Sequence, residues 1–127
     1  MNFPEALKYT HDHEWIKLED DGTALVGITD FAQHELNDII YIDVTTVGQS
    51  LAKGEVFGSI EAVKTVSDLF LPVEGEVVEL NPEIESSPQF LNHDPYGRGW
   101  IIRLKPADVA AIDELLSVDA YKELIGQ

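Results

Sequence analysis

Apolar and polar residues alternate in short stretches along most of the chain, a period that predicts strands rather than helices. Trp15-Ile16-Lys17-Leu18 and Thr23-Ala24-Leu25-Val26-Gly27-Ile28 flank Glu19-Asp20-Asp21-Gly22, and Asp-Gly between two apolar runs predicts a hairpin. In the stretch 29–36, Thr29 or Asp30 can cap a short helix, with Phe31, Ala32, Glu35 and Leu36 at helical spacing. Ile40, Ile42 and Val44 are then placed on one face of a strand. Gly48 and Gly54 punctuate the next stretch. Residues 56–63, 66–71, 76–80 and 100–104 are read as further strands. Residues 86–99, rich in Ser, Pro, Asn and Gly, are read as a loop. After Pro106 the period changes: Val109, Ile112, Leu115 and Leu116, then Tyr121, Leu124 and Ile125, have helical spacing, and Ser117 is placed to cap the last helix.

Many short strands with glycine turns predict a mainly β fold. The expected form is a sandwich or flattened barrel of antiparallel strands, with a short internal helix and a C-terminal helical tail. One domain is expected over 1–127, with a β core at about 10–105 and the tail at about 107–127. Gly54-Glu55-Val56-Phe57 and Gly75-Glu76-Val77-Val78 share a Gly-Glu-Val start, a weak hint of internal duplication.

Composition narrows the function. Hydrophobic residues make up 44% of the 127, enough for a core. No apolar run approaches the roughly 18–20 residues of a membrane helix. The N-terminus lacks both a signal-peptide pattern and the Arg and Ser richness of a transit peptide, so a cytoplasmic protein is expected, with a mature mitochondrial form as the alternative. With no cysteine, any thiol redox chemistry has to come from a cofactor. Eight Lys plus Arg stand against 24 Asp plus Glu, a net charge of -16. Such a surface repels nucleic acid and anionic membranes, and it favours basic protein partners. Acidity also serves solubility alone.

Catalytic candidates are few. His11-Asp12-His13-Glu14 has the composition of a metal site, and in a strand His11 and His13 would share a face. No further His pair supplies the remaining ligands at a recognisable spacing. There is no Gly-x-Ser-x-Gly elbow and no phosphate-binding glycine loop. Lys64, one of six lysines, sits between β-branched stretches and reads locally as a surface lysine. No Gly, Pro or Asn lies between Ile60 and Phe70, so the local pattern does not predict a turn there.

The stretch Glu61-Ala62-Val63-Lys64 resembles the lipoylation site of the H proteins of the glycine cleavage system. His13-Glu14-Trp15, Gly27-Ile28-Thr29 with Ala32-Gln33, Ser67-Asp68 with Pro72 and Gly75-Glu76-Val77, and Asp94-Pro95-Tyr96-Gly97 with Gly99-Trp100 agree with that family in the same order. The resemblance covers nearly the whole chain and implies a lipoyl-domain-like fold. Ala62 stands in place of the more usual Ser, Thr65-Val66 in place of a small-residue pair, and Asn37 where Gly often precedes Asp.

The resemblance implies that Lys64 carries a lipoyl arm. It implies that Glu61 and Gly75, with Gly48 as a counterpart, help a lipoate-attaching enzyme recognise the turn. The two glycines read equally well as ordinary turn residues. Glu14 and Asp68 match positions near the loaded arm, where acids would hold an ammonium group, and both read equally well as ordinary surface acids. The implied partners are a pyridoxal-phosphate glycine decarboxylase, which loads an aminomethyl group, an aminomethyltransferase using tetrahydrofolate, and a flavin dihydrolipoamide dehydrogenase. The chain itself would be a monomeric shuttle that catalyses none of these steps. Rival readings are an H-like protein in lipoate relay, an acidic interaction module without cofactor, and a metal-dependent enzyme built on His11 and His13. A biotin carrier is disfavoured because Val63 and Thr65, not methionines, flank Lys64.

Overall fold

Nine strands divide between two antiparallel sheets in the computed structural model, which describes all 127 residues. The strands are β1 (Lys8–Tyr9), β2 (Glu14–Leu18), β3 (Ala24–Ile28), β4 (Ile39–Asp43), β5 (Ser50–Leu51), β6 (Val56–Ala62), β7 (Val66–Phe70), β8 (Gly75–Leu80) and β9 (Ile102–Pro106). The larger sheet has the order β1-β2-β3-β9-β8-β5, and the smaller has the order β4-β6-β7. Helices α1 (Asp30–Leu36), α2 (Pro82–Ser86), α3 (Phe90–His93) and α4 (Val118–Ile125) join a 3-10 helix at Val109–Glu114. No helix is long and apolar enough to cross a membrane.

The strands form because alternate residues find a common interior. Ile16, Val26, Val77 and Leu104 of the larger sheet meet Ile42, Phe57, Ile60 and Leu69 of the smaller one in a single buried cluster. Each such side chain contributes roughly 1.5–3 kcal/mol by leaving water. A second cluster, Phe3, Leu7, Tyr9, Trp15 and Tyr121, fastens the N-terminus and α4 to the larger sheet. Tyr121 stacks on Tyr9 with ring centroids 4.8 Å apart, and the Trp15 indole donates to the Pro95 carbonyl at 3.0 Å. The hairpin of β2 and β3, the Thr29 cap of α1 and the Ser117 cap of α4 all form where the sequence pattern places them.

Three local expectations give way to tertiary contacts. Ile40 does not share the inward face with Ile42. An extra residue between Ile39 and Tyr41 makes a bulge against β6, so Ile39 is buried and Ile40 is exposed. The stretch 86–99 is not all loop, because Leu91 is buried and Asn92 ties α3 to the chain before β4. Asn92 accepts from the Ile39 amide at 3.0 Å and donates to the Asn37 carbonyl at 2.7 Å. A helix this short is held by such contacts rather than by propensity. His11 and His13 lie in a turn rather than a strand, and His13 has φ 66°.

The packing of Gly27 gives a direct test of the second cluster. A Cβ there would stand 2.7 Å from the Trp15 indole, which is itself buried. Gly27→Ala is expected to lower stability by about 1–3 kcal/mol in urea unfolding, because neither backbone nor ring has room to yield.

Candidate functional site

Lys64 stands at the tip of the hairpin formed by β6 and β7. Glu61 pairs with Val66, and the Ala62 amide donates to the Thr65 carbonyl at 2.8 Å, leaving 63–65 to turn the chain. The Val63 amide donates to the Asp38 carbonyl at 3.1 Å, which pins the tip to the start of β4. This external bond supplies the ordering that a turn glycine would otherwise provide. The Lys64 side chain is exposed and makes no ion pair; the three pairs in the chain are Lys17–Glu19, Arg98–Glu83 and Arg103–Glu79. No other cation lies between Lys53 and Arg98 in the sequence.

Beside this hairpin lies a groove of about 390 Å³. Ser67, Asp68 and Leu69 of β7 form one wall, Phe31, Ala32, Glu35 and Leu36 of α1 the other, with Asp12 and His13 at the rim and Ile28 and Ile60 also lining it. The Tyr121 hydroxyl bridges His13 Nδ1 at 2.9 Å and Thr29 Oγ1 at 2.8 Å. Thr29 Oγ1 in turn accepts from the Ala32 amide at 3.1 Å. One hydroxyl on α4 thus holds both the His13 rim and the start of α1. Burial lowers the His13 pKa, opposed by the nearby carboxylates of Asp12 and Glu35, and this favours the neutral ring.

The residues singled out from sequence fall in different places. Asp68 is exposed and lines the groove. Glu14 is only 2% exposed and lies outside that groove, in a smaller cavity of about 170 Å³ with Tyr9, Lys53 and Leu71. Asp12 borders both cavities. Glu14 Oε2 accepts the Phe70 amide of edge strand β7 at 2.7 Å, and burial pushes its carboxyl up to about 8. Glu61 is exposed on β6, three residues before Lys64. Gly75 and Gly48 belong with the larger sheet. A Cβ on Gly75 would meet the Lys105 carbonyl of β9, and Gly48, with φ +89°, donates to the Val77 carbonyl at 2.7 Å. Both glycines therefore have a backbone reason to be glycine. His11 is exposed, and no group of three or more His, Asp or Glu side chains is arranged to hold a metal.

A family model described as glycine cleavage H-protein matches residues 7–127. The chain belongs to the glycine cleavage H-protein family. It is similar to the glycine cleavage system H protein of Bacteroides fragilis, 58% identical over 125 residues and covering 98% of each chain. The H protein of Chlorobium luteolum is 56% identical over 127 residues, 99% of each chain. The fold is similar to the crystal structure of a glycine cleavage system H protein from Mycobacterium marinum, with a TM-score of 0.89 and 37% identity, over 98% of this chain and 100% of that one. Membership places the chain among the components of the glycine cleavage system, and the mainly β, lipoyl-domain-like fold expected from sequence is the one observed.

Of the groove residues, Asp68 was singled out from sequence for the loaded arm and Asp12 and His13 only as part of a metal-like cluster; the α1 wall and its support by Tyr121 were not. These residues come from separate segments that meet only in the fold, and α1 reads as an ordinary amphipathic turn. Tyr121→Phe keeps the ring stack and removes the bridging hydroxyl, so it is expected to lower stability by about 1–3 kcal/mol and to change the His13 titration seen by NMR. Glu14 gives a pH-dependent test. Its folded pKa lies above the unfolded value, so the folded state binds the extra proton between about 4.5 and 8, and stability falls as pH rises through that window. Glu14→Gln is expected to gain stability relative to the parent chain as pH rises from 5 to 8, with the difference fading below the unfolded pKa of about 4.5. Thermal unfolding at a series of pH values measures it.

Proposed function

We propose that this chain is the lipoyl-carrying shuttle of glycine cleavage, with the arm on Lys64. The observation that carries this reading is an exposed, unpaired lysine at a hairpin tip beside a groove lined by apolar side chains and by the acids Asp12, Glu35 and Asp68. The residues fit the group. Asp68 is four residues from Lys64, through Thr65 of the turn and then β7, so the path between them is at most about 13 Å at roughly 3.3 Å per residue. A lipoylated lysine spans about eleven bonds from Cα to its ring, roughly 14 Å when extended. The arm can therefore lie along β7 into the groove or stand clear of the tip.

When bound, the lipoyl group supplies a dithiolane that takes up a one-carbon unit and electrons. The chain's own residues do the rest. Lys64 tethers the arm and raises its effective concentration at each partner. Phe31, Leu36 and Ile28 keep water from the groove. Asp68, Glu35 and Asp12 favour a cationic load there, and Glu14 fastens the end of β7 through the Phe70 amide. Glu61, with Gly75 and Gly48, guides the lipoate-attaching enzyme. The partners are the glycine decarboxylase, the aminomethyltransferase and the dihydrolipoamide dehydrogenase, and the chain catalyses none of their steps.

Intact-mass analysis of the protein from lipoate-replete native cells is expected to show one lipoyl-sized increment, mapped to Lys64 and absent in Lys64→Arg. The same variant is expected to reduce reconstituted glycine cleavage to background. An unmodified Lys64 in such cells, or full activity in Lys64→Arg, sinks the shuttle reading.

A further inference from the structure

The outer face of the small sheet around Lys64 is apolar where exposed strand surface would ordinarily be polar. Tyr41, Glu61 and Val66 are register partners across β4, β6 and β7, so they form one row on one face. Tyr41 is 55% exposed and Val66 64% exposed. Ile40, the bulge residue, is 50% exposed, and Val63, beside Lys64, is 65% exposed. The next row on that face, Asp43, Ser59 and Asp68, is polar and separates the apolar residues beside Lys64 from Val56, exposed at the other end of β6.

Reach and charge identify the occupant. An unmodified lysine extends only about five bonds, roughly 6 Å, beyond its Cα. An enzyme that acylates Nζ must therefore bring its surface against the turn and cover Val63 and the Tyr41–Val66 row. An enzyme acting at the far end of a finished arm is under no such constraint. The patch is flanked by the exposed acids Asp38, Asp43 and Asp68 and has Glu61 between Tyr41 and Val66, with Lys64 the only cation of this sheet and its hairpin. The complementary surface has an apolar centre and a Lys and Arg rim.

We propose that Ile40, Tyr41, Val63 and Val66 form the docking patch for the lipoate-attaching enzyme, an inference that rests on Lys64 being the lipoylated residue. The patch binds the unmodified chain, and Glu61 sits within it as the polar contact that sets register. The geometry asks most of Tyr41, the largest exposed apolar side chain of the row, at its β4 end.

The test titrates the unmodified full-length chain with a lipoate–protein ligase, reading the dissociation constant by calorimetry without ATP and the lipoylation rate by intact mass with lipoate and ATP. Tyr41→Thr with Val66→Thr keeps strand-forming residues and is expected to raise both the dissociation constant and KM by about ten-fold or more, leaving kcat within two-fold. Val63→Ser, in the turn outside both strands, is expected to act in the same direction without touching strand pairing. Val78→Thr, exposed on the other sheet, is expected to change neither constant. Binding of the parent chain is expected to weaken from low to high salt. If the parent chain is lipoylated and the patch variants bind with its affinity, the patch is overturned and the shuttle reading stands. If the parent chain takes no lipoyl group at all, the shuttle reading falls and the patch with it.

Discussion

Ile60 is completely buried, and its register partners Ile42 and Ser67 hold β6 in the middle of the small sheet. A slip of one residue would turn Ile60 to solvent and Glu61 into the core, so this pairing has one acceptable register. The position of everything at the end of the hairpin follows from it. Ala62 is buried where it pairs with Ile39, the chain turns at 63–65, and Lys64 is left projecting. The apolar cluster shared by the two sheets thus determines where the one reactive amine of this face points.

The groove depends on a second, separate set of contacts. Its α1 wall and its His13 rim are joined through the hydroxyl of Tyr121, whose ring is buried against Tyr9 and Phe3. The C-terminal helix is therefore part of the site's support, although none of its residues lines the groove. Glu14 gives comparable support on the opposite wall, where its Oε2 accepts the Phe70 amide that edge strand β7 would otherwise leave open.

Much of the fold was legible in the sequence because the signals were local. Asp21-Gly22 marked the β2–β3 hairpin, Thr29 and Ser117 marked helix starts, and alternation marked β6 to β8. The bulge at Ile40 was not legible, since a bulge exists only relative to its partner strand. Nor was the turn at Lys64: its ordering comes from the Asp38 carbonyl, twenty-five residues before Val63, and not from a turn residue of its own. For the site, Lys64 stood out through family resemblance alone, and by composition it was one surface lysine among six. The groove was hidden because its walls come from segments around 12, 31 and 68 that share no motif.

The buried Glu14 also changes how the molecule's charge should be counted. The formal value of -16 treats every carboxyl as ionised, yet with its carboxyl pushed up to about 8, Glu14 is mostly protonated in the native state at pH 7. In the unfolded chain the same group is ionised at that pH. Folding near neutrality therefore draws protons from the buffer, and the native protein is less negative than the formal -16. The interior holds in reserve a charge that the amino-acid count assigns to the surface.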